Sequence, residues 1–140
     1  MRTGEIGFGI IGCGAIAPVH AQSIAEIQGA RLVAVADVVE QNAQRLADRF
    51  SAAAYTDYHT LLDRGDIQAV CLCVPSGMRA EVAESCAQAG KHILAEKPLE
   101  VTTMRIDRMM NAAKSAGVKL GCIFQSRFAD GPRHVRQGIE

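Results

Sequence analysis

The 140-residue sequence predicts an α/β domain of the doubly wound parallel-sheet type, with six strands. Three observations lead there. Short apolar runs alternate with stretches of helical period, which is the pattern of repeated strand-helix units. The run from Ala69 to Val74 is almost wholly apolar, as a central parallel strand covered on both faces requires. The length matches one common domain, enough for a single good core and no more.

The elements follow in order. Ile6 to Ile11 reads as the first strand, and Ala15 to Ile27 as a helix burying Ile16, Val19, His20 and Ile24, ended by Gly29. Leu32 to Ala36 is the second strand. Glu40 to Phe50 is the second helix, with Leu46 and Phe50 one turn apart, and Ala52 to Tyr55 is a short third strand. Asp57 caps a short helix through Leu62, and Ala69 to Val74 is the fourth strand. Gly77 to Ala89 forms a helix closed by Gly90, and His92 to Ala95 a fifth strand ending at Glu96-Lys97-Pro98. Thr102 or Thr103 caps a helix to Ala116, stopped by Gly117, and Lys119 to Phe124 is the sixth strand. Beyond it the character changes, with a Gly131-Pro132 turn and a new helix from Pro132 to Glu140. The expected division is therefore the doubly wound domain over 1–125 and a crossover segment over 126–140.

Charge and cysteine usage narrow the function. Fifteen Lys and Arg balance fifteen Asp and Glu, so the electrostatic footprint of nucleic-acid or anionic-membrane binding is missing. A small, locally recognised ligand is the more natural partner. The five cysteines are an odd number set mostly in apolar runs, which points to buried thiols in a reducing cytoplasm and away from a disulfide framework. Cys71 and Cys73 share one strand face without a second ligand pair, so no metal site is expected. No basic stretch leads into a long apolar segment at the N-terminus, and neither a signal peptide nor a membrane span is expected.

Gly12-Cys13-Gly14-Ala15-Ile16-Ala17 follows a predicted strand and opens a predicted helix, the context of a dinucleotide fingerprint. Gly12 permits a tight turn, Gly14 lets the backbone approach a pyrophosphate, and Ala17 is small enough for close helix-strand packing. Ala15 and Ile16 supply amides at the positive helix end. Glycines also serve such turns for structural reasons alone. Asp37, 25 residues after Gly12, ends the second strand, where its carboxylate can accept from the adenosine ribose hydroxyls; the alternative is a helix cap. A carboxylate there repels a 2′-phosphate, and Val38 and Val39 offer no guanidinium to neutralise one, so NAD is favoured over NADP.

Val74, Pro75 and Ser76 fall at the carboxyl edge of the sheet and can reach the cofactor, although Ser76 is equally suited to capping the next helix. Glu96-Lys97-Pro98 sets a lysine at the end of a buried strand, facing the crevice. Hydride removal from an alcohol requires loss of the hydroxyl proton, and a partly desolvated lysine can accept it. Pro98 is expected to rigidify the turn through a cis peptide, and the structural alternative is a surface lysine in a proline turn.

Gly12-Cys13-Gly14, Asp37, Gly90-Lys91-His92 and Glu96-Lys97-Pro98 together resemble the glucose-fructose oxidoreductase and inositol dehydrogenase (Gfo/Idh/MocA) family over nearly the whole chain. The resemblance implies an NAD-binding Rossmann domain, Glu96 and Lys97 at the cofactor, and Lys97 in contact with the substrate hydroxyl as catalytic residue. It also implies a histidine, often preceded by an aspartate, from a second α/β substrate domain built on an open antiparallel sheet and missing from this chain. A sugar or polyol substrate, homo-oligomerisation through that second domain, and little or no turnover by the 140 residues alone follow from the same resemblance. Ser76 replaces the family's common asparagine and Arg79 a frequent histidine. Cys122 to Phe128 is similar to the branch acting on nucleotide-linked amino sugars, which assigns Gln125 to the cofactor and Arg127 to the substrate. His20 and His92 are expected to be packing residues. A non-catalytic NAD sensor is the competing reading; a short-chain reductase is disfavoured because neither Tyr55 nor Tyr58 has a lysine four residues later.

Overall fold

A computed structural model describes residues 4–139. Its sheet has six strands in the order β3-β2-β1-β4-β5-β6, all parallel. The strands are β1 (Ile6–Ile11), β2 (Ala30–Ala36), β3 (Ala53–Tyr55), β4 (Ala69–Leu72), β5 (His92–Ala95) and β6 (Leu120–Cys122). The helices are α1 (Ala17–Glu26), α2 (Glu40–Phe50), α3 (Tyr58–Leu62), α4 (Arg79–Gln88), α5 (Thr103–Ser115) and α6 (Asp130–Ile139).

The period of two along each strand divides the core between the sheet's faces. On β1, Ile10 joins Ala17, Ala21 and Ile24 of α1 and Leu46 of α2, whereas Ile11 joins the other face. On β4, Cys71 takes the α1 and α2 side, while Val70 and Leu72 pack with Leu61, Val82, Cys86 and Met109 from α3, α4 and α5. Both sides of β4 are covered, which explains why its sequence is continuous apolar. The helix starts are specified locally: Asp57 Oδ1 accepts from the His59 amide at 2.9 Å, and Thr102 Oγ1 from the Arg105 amide at 3.3 Å.

Several boundaries depart from the sequence reading. Helix α1 opens at Ala17 and not Ala15, because residues 14–16 form the turn. Its inward stripe is Ala17, His20, Ala21 and Ile24; Val19 lies on the opposite side and is 58% exposed. A 3₁₀ turn, Ser76–Met78, precedes α4, which starts at Arg79. Strand β6 is confined to Leu120–Cys122 because, at the sheet edge, it pairs only with the last three residues of β5, Ile93 to Ala95. Helix α6 begins at Asp130, with Pro132 in its first turn, where a missing amide costs nothing. It buries none of its residues.

The Gly90-Lys91-His92 segment lies at the amino end of β5, opposite the edge where the strands terminate. Gly90 takes φ +70° to end α4, and Lys91 is buried with Nζ donating to the carbonyls of Arg64 at 2.8 Å and Ile67 at 3.0 Å. His92 is exposed, with Nδ1 accepting from the Lys119 amide at 3.1 Å, so it ties β5 to β6 and does not pack in the core.

Candidate functional site

In a parallel sheet of this order the connections on either side of β1 and β4 run in opposite directions, opening a crevice at the strands' carboxyl edge. The chain brings the Gly12 turn, Asp37, Val74 to Ser76 and Glu96 to Pro98 to that edge. A cleft of about 610 Å³ is lined there by Gly12, Gly14, Asp37, Val38, Val74, Pro75, Ser76 and Arg79, among others. That volume suits a small-molecule ligand.

Gly12 is required twice over. It takes φ +91°, and a Cβ would lie 2.7 Å from the Cys73 carbonyl carbon and 2.8 Å from the Val74 nitrogen. The first turn can cross the end of β4 only without a side chain. Gly14 is different: its φ is not left-handed, and a Cβ there would meet nothing within 4 Å. Its missing side chain leaves open space on the cleft. Among the described residues the amides of Gly14, Ala15 and Ile16 donate to no protein acceptor, at the start of α1, where the helix dipole is positive.

Asp37 faces this turn and is half-buried. One carboxylate oxygen accepts from the Cys13 amide at 2.7 Å and the other from the Val39 amide at 2.8 Å. The carboxylate is thus fixed in orientation, while each oxygen keeps a lone pair. Helix α2 starts at Glu40 with Val39 as its N-terminal flank and no side-chain cap, so Asp37 is not its cap. The Cys13 thiol donates to the Ala36 carbonyl at 3.6 Å, and burial, with the Asp37 charge, pushes it up to about 12. Ser76 caps nothing either; Glu100, buried, receives the Ala80 amide of α4 at 2.9 Å. Burial opposes the Glu100 charge, but the Val101 and Ala80 amides and Arg105 hold its carboxyl below the usual range.

The Lys97-Pro98 peptide is cis. Lys97, Pro98, Phe124, Gln125 and Ser126 line a second hollow of about 460 Å³. Lys97 is exposed, so burial within these residues does not provide the desolvation the sequence reading required. Glu96 is buried beneath it: one carboxylate oxygen lies 2.9 Å from His20 Nε2, and the other accepts from the Lys97 amide at 3.1 Å. Its carboxylate is engaged with α1 and with the corner it precedes. Arg127 lines neither hollow; it is exposed, with its guanidinium 5.6 Å from the Phe128 ring centroid.

Sequence reasoning missed the contacts of three buried polar residues. His20 is not a simple packing residue, since it holds Glu96. Arg79 is 6% exposed; its Nε donates to the Val74 carbonyl at 3.1 Å, and its Nη1 to the Glu96 carbonyl at 2.6 Å and to the Pro98 carbonyl. Glu100 holds α4. For Arg79 a signal existed: it shares the helical spacing of Val82, Ala83 and Cys86, the inward stripe of α4.

The model of an oxidoreductase family, NAD-binding Rossmann fold, matches residues 6–124. Myo-inositol 2-dehydrogenase of Thermotoga maritima is 32% identical over 133 residues, which cover 94% of this chain and 40% of that protein. The WlbA dehydrogenase of Bordetella pertussis, solved with NADH and UDP-GlcNAcA, superposes with a TM-score of 0.92 at 32% identity over 96% of this chain and 42% of that one. A variant of KijD10, a 3-ketoreductase from Actinomadura kijaniata solved with TDP-benzene and NADP, gives 0.89 at 29% identity over 96% and 43%. The chain thus spans about 40% of the length of the relatives it matches. A glycine turn, an acidic strand end and a Glu-Lys-Pro corner on one edge of this sheet, matched over residues 6–124, place the chain in the Gfo/Idh/MocA oxidoreductase family as its NAD-binding Rossmann domain.

Proposed function

We propose that this domain serves an NAD-dependent dehydrogenase that moves hydride between a hydroxyl-bearing carbon of a sugar, nucleotide sugar or polyol and nicotinamide. The observation that carries the reading is the placement of Lys97 beside Gln125 on the same sheet edge as Gly14 and Asp37. The residues fit a dinucleotide. Gly14 leaves room where a Cβ would intrude, three amides at the start of α1 lack acceptors, and Asp37 is held rigidly with lone pairs to spare. When bound, the nicotinamide supplies the hydride acceptor or donor.

The amides of Gly14, Ala15 and Ile16 hold the pyrophosphate, and Asp37 accepts from the ribose hydroxyls. Asp37 also favours NAD over NADP, because a 2′-phosphate would meet its charge. Val38 and Val39 supply no cation, and Arg45 donates to Asn42 Oδ1 at 2.9 Å. Val74, Pro75 and Ser76 line the dinucleotide cleft, and Gln125 lines the hollow beside Lys97. Lys97 Nζ hydrogen-bonds the substrate hydroxyl and accepts its proton as hydride leaves the same carbon. Glu96 anchors the corner through His20, and Arg127 reaches substrate only by leaving the Phe128 ring. A second domain contributes substrate recognition and the acid-base partner of Lys97, so the 140 residues alone bind NAD and turn over little.

The test is Lys97→Ala in the full-length protein, assayed with myo-inositol and with UDP-GlcNAcA, the molecules of its relatives. Turnover falls by at least about 10²-fold with NAD affinity unchanged. Undiminished turnover refutes the role of Lys97; NAD binding by a parent protein that turns over neither substrate favours the sensor reading.

A further inference from the structure

Strands β4 and β5 stop at Leu72 and Ala95, so the carbonyls of Val74, Glu96 and Pro98 lie beyond the ladder and need other donors. One side chain serves all three. Arg79 donates from Nε to Val74 and from Nη1 to Glu96 and Pro98. It is 6% exposed, and none of the ion pairs among the described residues includes it. A guanidinium keeps its charge at any ordinary pH, and placing one in the interior is costly unless dipoles surround it. Three carbonyl oxygens converge to do so here, and only a planar fork of donors meets them together.

The tie has a functional address. Val74 belongs to the wall of the dinucleotide cleft, whereas Pro98 belongs to the corner that carries Lys97. Arg79 therefore ties the end of β4 directly to the Lys97 corner, beside the separate contact of Glu96 with His20. We propose that Arg79 is a positioning residue, bracing the Lys97 corner against the cofactor-binding end of β4 without touching the reacting atoms. The inference rests on the proposed role of Lys97 for its catalytic consequence, but the brace itself can be tested independently.

The first experiment is amide hydrogen exchange on the 140-residue chain, parent against Arg79→Lys, which keeps the charge and loses the fork. The Lys97 and Glu96 amides exchange at least about tenfold faster in the variant, while Val35 and Ala36 in β2 are unchanged. Unchanged exchange at the corner overturns the brace. So does equal acceleration at β2, which marks general destabilisation.

The second experiment is a double-mutant cycle in the full-length protein with myo-inositol and NAD. Arg79→Lys lowers kcat by about 10²-fold, the loss expected for a misplacement near 1 Å, with the KM for NAD within about threefold. In the Lys97→Ala background it lowers kcat no further. An equal loss in both backgrounds, or a loss expressed in NAD affinity, overturns the positioning role. If Lys97→Ala alone keeps full turnover, the catalytic reading of Lys97 fails, and the exchange data still decide whether the brace exists.

Discussion

The two glycines of the first turn make opposite predictions, because one is needed by the fold and the other by the ligand. Gly14→Ala places a methyl where nothing lies within 4 Å, on a backbone outside the left-handed region. The unfolded chain loses freedom and the folded one gains no clash, so stability changes by no more than about 1 kcal/mol and in the favourable direction. The methyl occupies the approach to the free amides, so the NAD dissociation constant rises at least about tenfold, or ~1.4 kcal/mol. Gly12→Ala sets a methyl 2.7 Å from the Cys73 carbonyl carbon at φ +91°. About 1 kcal/mol for the backbone conformation and about 1–3 kcal/mol for the forced separation of β1 from β4 follow. For a domain of this size that lowers Tm by roughly 6–20 °C. Scanning calorimetry without ligand and titration calorimetry with NAD read both quantities. A Gly14→Ala domain that binds NAD as the parent does refutes the phosphate assignment, and a Gly12→Ala domain with unchanged Tm refutes the close crossing.

Two further outcomes are expected. NAD protects the domain against heat more than NADP at equal concentration, and Asp37→Ser narrows the difference; equal or reversed protection in the parent removes the argument from Asp37. Hydrogen bonds from Arg64 lower the Asp66 carboxyl to about 2, with Arg31 also in contact at 3.4 Å. The folded value lies below the unfolded one, near 3.9, so this stabilisation is complete above about pH 5 and disappears as pH falls through about 2. After solvent screening it amounts to about 1 kcal/mol. Because Arg64 also donates to the Tyr55 hydroxyl at 3.1 Å, the Tm gap between parent and Arg64→Gln should be widest at neutral pH and smallest near pH 2, and a constant gap contradicts the ion pair.

What was legible in the sequence follows from the range of the interactions. Helix α2 and strand β5 were placed to the residue, because their signals are local: the period of α2, and glycine and proline on either side of β5. Helix α1 was read two residues early, at Ala15, although Pro18 in its first turn is a local signal for the start at Ala17. Val19 was assigned to the core by hydrophobicity, although Ala17 and Ala21 fill the inward stripe. Gly12, Gly14 and Asp37, expected at one edge from their fingerprint spacing, do line one cleft. The contacts of His20 with Glu96, 76 residues apart, and of Arg79 with Glu96 and Pro98, 17 and 19 apart, were not legible. A buried polar partner is set by topology, and strand order has to be known before such pairs can be matched.

Lys97 shows where the chemistry divides. A lysine that is to accept a proton near neutral pH needs its ammonium form disfavoured, by loss of water or by a like charge. The corner leaves Lys97 exposed to water, with the Glu96 carboxylate held beneath it by His20. What the corner does supply is fixed geometry, through Glu96 to His20 and through Arg79 to Val74. Under the proposed function, desolvation then comes from whatever covers the hollow between Lys97 and Gln125: the bound dinucleotide on one side and the substrate with its second domain on the other. On that reading the domain fixes where Lys97 stands and the cover excludes water from it, so chemistry and substrate occupancy are coupled through one exposed side chain.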